Sequence, residues 1–196
     1  NQIQFKNVYF TGLVRDKKGR KMSKQLGNSP DPLKLISEYG ADSVRVGLML
    51  CSSAGNDLLF DEKLCIQGKN FTNKIWNAYR LINSWTSSNN TDERQAEKDA
   101  ISWYENKFNF ILDVIENHFK LYRIKDAMLS IYKLIWDDFC SIFLEAVKPE
   151  FNSPINSSTM SKILKIFQNN LKVLHNFMPF LTEELWEKIK DDSCEE

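Results

Sequence analysis

No run of apolar residues in this 196-residue chain approaches the roughly 20 needed to cross a bilayer, and its first residues carry no secretory-signal pattern. Its four cysteines, Cys51, Cys65, Cys140 and Cys194, form no CxxC pair, and its only histidines, His118 and His175, lie far apart. Those absences remove the usual zinc and disulfide frameworks. They leave the expectation of reduced thiols packed on apolar helix faces, a cytoplasmic setting, and no metal bound by the chain. There is no internal repeat, no low-complexity tract and no G-x-x-x-x-G-K-[ST] phosphate loop. With Asn1 in place of an initiator Met, the chain reads as a piece of a longer protein.

What is present is a globular composition, 42% hydrophobic and 12% aromatic, enough to bury a sizeable core. The formal net charge of zero hides an asymmetry. Residues 1–90 carry 13 Lys+Arg against 7 Asp+Glu, and residues 91–196 carry 13 against 19. The front half is suited to meet an anion.

Periodicity divides the chain at about residue 60. "VYFTGLV", Val8–Val14, reads as a short strand broken by Gly12. After Pro30 and Pro32, "LKLISEYG" reads as a helix ended by Gly40, and "ADSVRVGLMLCS" as a second with Asp42 in its first turn. From Asp61 onward steps of three and four dominate. The first stripe is Phe60, Leu64, Phe71, Ile75, Ala78, Ile82; the second is Ala100, Tyr104, Phe108, Ile111, Ile115, Phe119. A third runs Ile124, Met128, Ile131, Ile135, Phe139, Ile142, Ala146, and a fourth Met160, Ile163, Phe167, Leu171, Leu174, Met178. Pro179 breaks or restarts that helix, and "FLTEELWEKI" is a last amphipathic one. The fold expected is mainly α: an antiparallel helical bundle over 61–196, preceded over 1–60 by a small α/β remnant.

The segment between the strand and the prolines holds Arg15, Lys17, Lys18, Arg20, Lys21 and Lys24, six cations within ten residues, with Asp16 the one acid among them. Brought together, they repel one another unless an anion sits among them. Gly19 and Gly27 flank the segment and offer mobility, and Met22 is an apolar residue that can anchor it. A solvated basic turn is one reading. A polyphosphate cradle is the other.

"KMSKQ", Lys21–Gln25, resembles the KMSKS signature of class I aminoacyl-tRNA synthetases, with Gln25 where the family usually has Ser. The longer block "KMSKQLGNSPDPLKLISEYGADSVRV" is similar to that of the synthetases for valine, isoleucine, leucine and methionine. "NFTNKIWNAYR" and "MPFLTEELWEKI" resemble the valyl branch of the family more than the isoleucyl one. The resemblance implies a portion of an enzyme that activates valine with ATP and Mg²⁺ and transfers it to tRNA(Val). In that reading Lys21 and Lys24 are catalytic and contact the triphosphate, Ser23 donates a hydroxyl hydrogen bond, and Met22 seats the loop. It implies no membrane and no protein partner, and a fragment inactive by itself, since the remaining catalytic motifs of the family are absent from these residues. Other readings are a fragment of another branched-chain synthetase, a stand-alone tRNA-binding helical module, and a helical interaction protein.

Asn70, Asn73, Asn77 and Arg80 recur at helical spacing, flanked by Lys69 and Lys74, and no acid occurs between Glu62 and Asp92. Such a face suits RNA: asparagine and arginine read base edges, lysine meets the backbone, and Trp76 or Tyr79 offers stacking. The alternative is that the asparagines make interhelical hydrogen bonds and Trp76 is core. By resemblance, the helices from about Asp61 form the family's anticodon-binding bundle.

Overall fold

The first helix begins where its sequence says it must. The Asp31 side chain accepts from Leu33 N–H at 3.0 Å and Pro32 fills the first turn, where a missing N–H costs nothing. A computed structural model describes residues 4–51 and 56–189. Helix α1 spans Pro32–Tyr39 and stops at Gly40, whose φ of 90° favours glycine. Helix α2, Ala41–Cys51, follows at once. Strand β1, Val14–Arg15, pairs in parallel with β2, Leu58–Leu59, and the long helix α3, Lys63–Asn83, leads into the bundle.

The bundle continues through β3 (Ser87–Ser88), α4 (Gln95–Lys120) and α5 (Ile124–Lys133). Tyr122, at φ 58°, lies in the tight connection between α4 and α5. Helix α5 runs on as a π-helical stretch, Leu134–Phe143, into α6, Leu144–Val147. Strand β4, Ile155–Asn156, pairs in parallel with β3 before α7, Ser157–Leu174, and α8, Pro179–Ile189. No helix of the described residues is long and apolar enough to cross a membrane.

Two apolar cores result. The larger is built on Phe71, Ile75 and Ile82 of α3, Tyr104 of α4, Met128 and Ile131 of α5, Phe139 and Phe143, and Phe167 and Leu171 of α7. The smaller lies under the basic segment: Leu35, Val44, Phe60 and Cys65, with Met22 and Tyr39 packed against it. Helix α2 serves both, since Val46 and Leu50 enter the larger core while Val44 belongs to the smaller. Where α2 crosses α3 the backbones nearly touch. A methyl group on Gly68 would stand 2.3 Å from the Ser43 carbonyl oxygen, and one on Gly47 3.0 Å from Cys65 N.

Several expectations are corrected. The strand expected over Val8–Val14 shrinks to Val14–Arg15, and Val8, Phe10 and Leu13 are exposed. A strand exists by its ladder, and the described residues give Val14–Arg15 a two-residue pairing with Leu58–Leu59 and a single antiparallel bridge from Arg15 to Lys21. Phe60 packs in the smaller core, away from the α3 stripe. Ile142 and Ala146 point outward, while Cys140, Phe143, Leu144 and Val147 are buried. The wider i→i+5 turns of the π-helical stretch displace the inward face from the 3.6-residue period that placed Ile142 inside. Of the thiols, Cys65 and Cys140 are buried and Cys51 half-buried; Cys194 lies outside the described residues.

Candidate functional site

The basic segment is a shaped loop, organised by Asp16. Its carboxylate accepts from Lys18 N–H at 3.0 Å, Arg20 N–H at 2.9 Å, Arg20 Nε at 2.8 Å and the Asn28 amide at 3.0 Å. Asn28, then Arg20, hold that carboxyl far below the usual carboxylate range. The Asn28 side chain also accepts from Ser23 N–H at 2.9 Å and donates to Lys21 O at 3.2 Å, so one amide ties both ends of the loop. Gly19 and Gly27, at φ 74° and 62°, close the two turns, with Gly19 N–H on Asp16 O and Gly27 N–H on Lys24 O. Their requirement is left-handed backbone geometry.

Folding sorts the six cations into two groups. Arg15 pairs with Asp57, Lys17 with Asp61 at 3.0 Å, and Arg20 with Asp16 at 2.7 Å. The sequence placed one acid in the run; the tertiary structure supplies two more, and Asp57 and Asp61 are both pulled below their ordinary range, Asp57 first by Arg15, Asp61 first by Lys63 N–H. Lys18, Lys21 and Lys24 make no ion pair among the described residues, and Lys21 and Lys24 are exposed on the ordered rim. Met22, half-buried, packs into the smaller core. Ser23 Oγ accepts from Leu26 N–H at 3.3 Å, leaving its hydroxyl hydrogen available. Beneath lies a cavity of about 350 Å³ lined by Leu13, Met22, Pro30, Leu35, Val44 and Phe60, with Lys21 at its edge.

On α3, Asn70, Asn73, Asn77 and Arg80 are all exposed, and none of their side chains bonds another described residue. Among the described residues the asparagines make no interhelical hydrogen bond. Lys69 donates to Glu38 O at 3.0 Å and Lys74 lies over the Trp136 ring at 5.6 Å, so both lysines lean on neighbouring elements. Trp76 and Tyr79 are partly buried and pack against the larger core. Other aromatics are largely exposed among the described residues, Phe10, Phe110, Phe151 and Phe180 among them. Phe151, 93% exposed, stands at the edge of an open cleft of about 430 Å³ lined by Ser84, Trp85, Thr86, Lys148 and Asn152. That cleft takes in Ser84 and Trp85, the residues that directly follow the C-terminal end of α3. Loop residues between Pro149 and Pro154 carry no periodic signal, which is why nothing in the pattern marked Phe151.

A lysine-rimmed loop beside a helical bundle with an exposed Asn/Arg face defines a class, and comparison with known proteins gives the same one. Residues 1–61 match the family model of "tRNA synthetases class I (I, L, M and V)", and residues 102–195 match that of the "Anticodon-binding domain of tRNA ligase". The chain belongs to the class I aminoacyl-tRNA synthetase family. Within it, the chain is similar over nearly its whole length to valine–tRNA ligases: 57% identical to that of Christiangramia forsetii over 192 residues, 98% of this chain and 22% of the relative. Identity is 52% to the Bacteroides thetaiotaomicron enzyme, over all of this chain and 22% of the relative. It is 34% to that of Chlorobaculum tepidum, over 99% of this chain and 23% of the relative. The chain therefore spans about a fifth of the length of these curated relatives. The fold is shared with a LeuRS-tRNA-LeuAMS ternary complex from Agrobacterium radiobacter, at TM-score 0.68 and 20% identity over 93% of this chain and 22% of that one. It is also shared with Mycobacterium tuberculosis methionyl-tRNA synthetase bound to methionyl-adenylate, at TM-score 0.65 and 17% identity over 90% and 37%.

Proposed function

We propose that this chain supplies the ATP-phosphate loop and the tRNA-binding helices of a valine–tRNA ligase, residues 1–60 ending the catalytic domain and 61–196 forming the anticodon-side bundle. The observation that carries the reading is that Lys21 and Lys24, the lysines of the KMSKQ motif, stay unpaired while neighbouring cations are neutralised by Asp16, Asp57 and Asp61. Exposed cations held on an ordered turn are pre-organised for an anion.

In the reaction, the valine carboxylate attacks the α-phosphate of ATP and pyrophosphate leaves. Lys24 and Lys21 stabilise the charge on the triphosphate as it develops, Ser23 donates its hydroxyl hydrogen, and Met22 fixes the loop from below. Among the described residues no group of three His, Cys, Asp or Glu could hold a metal ion, and the loop carboxylates are already engaged by cations and amides. By the resemblance, Mg²⁺ would accompany the ATP phosphates and share their charge. The valyl group then passes to tRNA(Val), held along Asn70, Asn73, Asn77 and Arg80, with Lys69 and Lys74 on its margins and Phe151 available to stack on an unpaired base. The setting this implies is cytoplasmic.

The test is valine-dependent ATP–pyrophosphate exchange by a full-length valine–tRNA ligase carrying this segment. Exchange that survives loss of both Lys21 and Lys24 refutes the reading.

A further inference from the structure

Helix α2 reaches beyond the two cores it joins. Asp42, 5% exposed, accepts from Leu181 N–H at 2.6 Å and Phe180 N–H at 3.4 Å. Arg45, one turn on, donates from Nε to Phe177 O at 3.1 Å and from its terminal nitrogen to Asn176 O at 3.4 Å. One helix thus caps the free N–H groups that open α8 and satisfies carbonyls of the α7–α8 turn. That turn is a braced object in its own right: Thr182 Oγ1 donates to Met178 O at 2.8 Å and meets His175 Nδ1 at 2.8 Å.

Helix caps are ordinarily supplied by the residue next to the helix in sequence. Here the cap comes from 139 residues away, so α8 is complete only when α2 is docked. Burying a carboxylate costs free energy, which an apolar residue with a local cap would avoid. What the arrangement adds is a fixed relation between two bodies. The same helix carries Val44, under the basic loop with Met22, and it is locked to α3, which bears the Asn/Arg face, through the Gly47 and Gly68 contacts.

We propose that Asp42 and Arg45 are positioning residues that hold the tRNA-binding bundle at a set placement relative to the phosphate loop, a placement needed for aminoacyl transfer and not for adenylate formation. The inference rests on the proposed function. Adenylate formation engages the loop with small substrates and needs no tRNA. Transfer also requires that a tRNA held on the bundle present its far end at the loop, and a misplacement of about 1 Å at a reacting centre can cost on the order of 10²-fold.

The experiment uses a full-length valine–tRNA ligase carrying this segment, with Asp42→Asn and, separately, Arg45→Met and Arg45→Lys. Pyrophosphate exchange and aminoacylation are measured on the same preparations. The expected result is exchange within about twofold of the unsubstituted enzyme, aminoacylation kcat lowered about tenfold or more, and partial recovery in Arg45→Lys, which keeps the charge and one donor nitrogen in place of two. Arg45 is exposed, so its variants retain the fold even if Asp42→Asn does not. Equal losses in both reactions, or aminoacylation unmoved with exchange intact, overturn the proposal and leave the functional reading standing. An unsubstituted enzyme without exchange overturns the functional reading, and this inference with it.

Discussion

Asn28 donates to Asp16 at 3.0 Å across twelve residues of loop. That contact, together with the Asn28 acceptor on Ser23 N–H, converts a charge run into a cradle. Repulsion among the lysines would otherwise splay the segment.

Replacing Lys24 by Ala in a full-length enzyme carrying this segment lowers the rate of adenylate formation by roughly 10²–10³, the typical cost of removing one charge-stabilising contact. Valine affinity stays within about twofold, because a loop lysine serves the triphosphate. Lys21→Ala acts in the same direction. Pyrophosphate exchange at wild-type rates in either variant would remove the residue from the catalytic set.

Asn28→Ala leaves the bundle intact and loosens the loop. Three hydrogen bonds are lost, each contributing about 1 kcal/mol net where partly buried. The thermal transition of the bundle moves little, while amide exchange at Ser23 and Gly27 accelerates. Unchanged exchange at Ser23 would show that the loop is held by something else.

The π-helical stretch makes a ranking that periodicity alone does not. Phe139 and Ile142 both fall on the helical stripe, yet Phe139 is fully buried and Ile142 is 50% exposed. Phe139→Ala destabilises the chain by about 3–5 kcal/mol, and Ile142→Ala by about 0.5 kcal/mol or less. Urea titration of the two variants measures both. Comparable losses would mean the stretch is an ordinary α-helix.

Titration of the chain with tRNA(Val) at several salt concentrations separates the two kinds of contact. Arg80→Ala weakens binding and, if it meets a phosphate, reduces the log–log salt slope by about 1. Phe151→Ala weakens binding by about 1–3 kcal/mol without changing the slope, and Phe151→Tyr restores it, because stacking carries no counterion term. Loss of slope in Phe151→Ala would argue against stacking.

The pH dependence has a definite sign. Asp16, Asp57 and Asp61 have folded-state pKa values below their ordinary 3.8, so their contribution is fully present above the unfolded value and is lost as pH falls through the folded one. The loop therefore keeps one conformation from pH 8 to about pH 5 and opens only under stronger acid. Asp42 runs the other way. Burial raises its pKa above 3.8 despite the Leu181 and Phe180 amides, so its protonation on acidification favours the folded state and partly offsets the loop's loss. Amide shifts of Gly19 and Leu181 across pH 3–8 follow the two separately.

Much of this was legible in the sequence for physical reasons. A helix is a local object: its hydrogen bonds span four residues and its apolar stripe repeats every three or four, so the stripes through Tyr104, Met128 and Phe167 could be read directly, as could the Asp31–Pro32 start of α1. The KMSKQ block could be read as well, because its residues are contiguous. What only the tertiary structure decided is long-range. The neutralisation of Arg15 and Lys17 by Asp57 and Asp61, the cap that Asp42 places on α8, and the outward turn of Phe151 join or expose residues whose spacing carries no period. Periodicity reports which face of an element is apolar; which charges meet, and which side chains are left free, is fixed only when the elements pack.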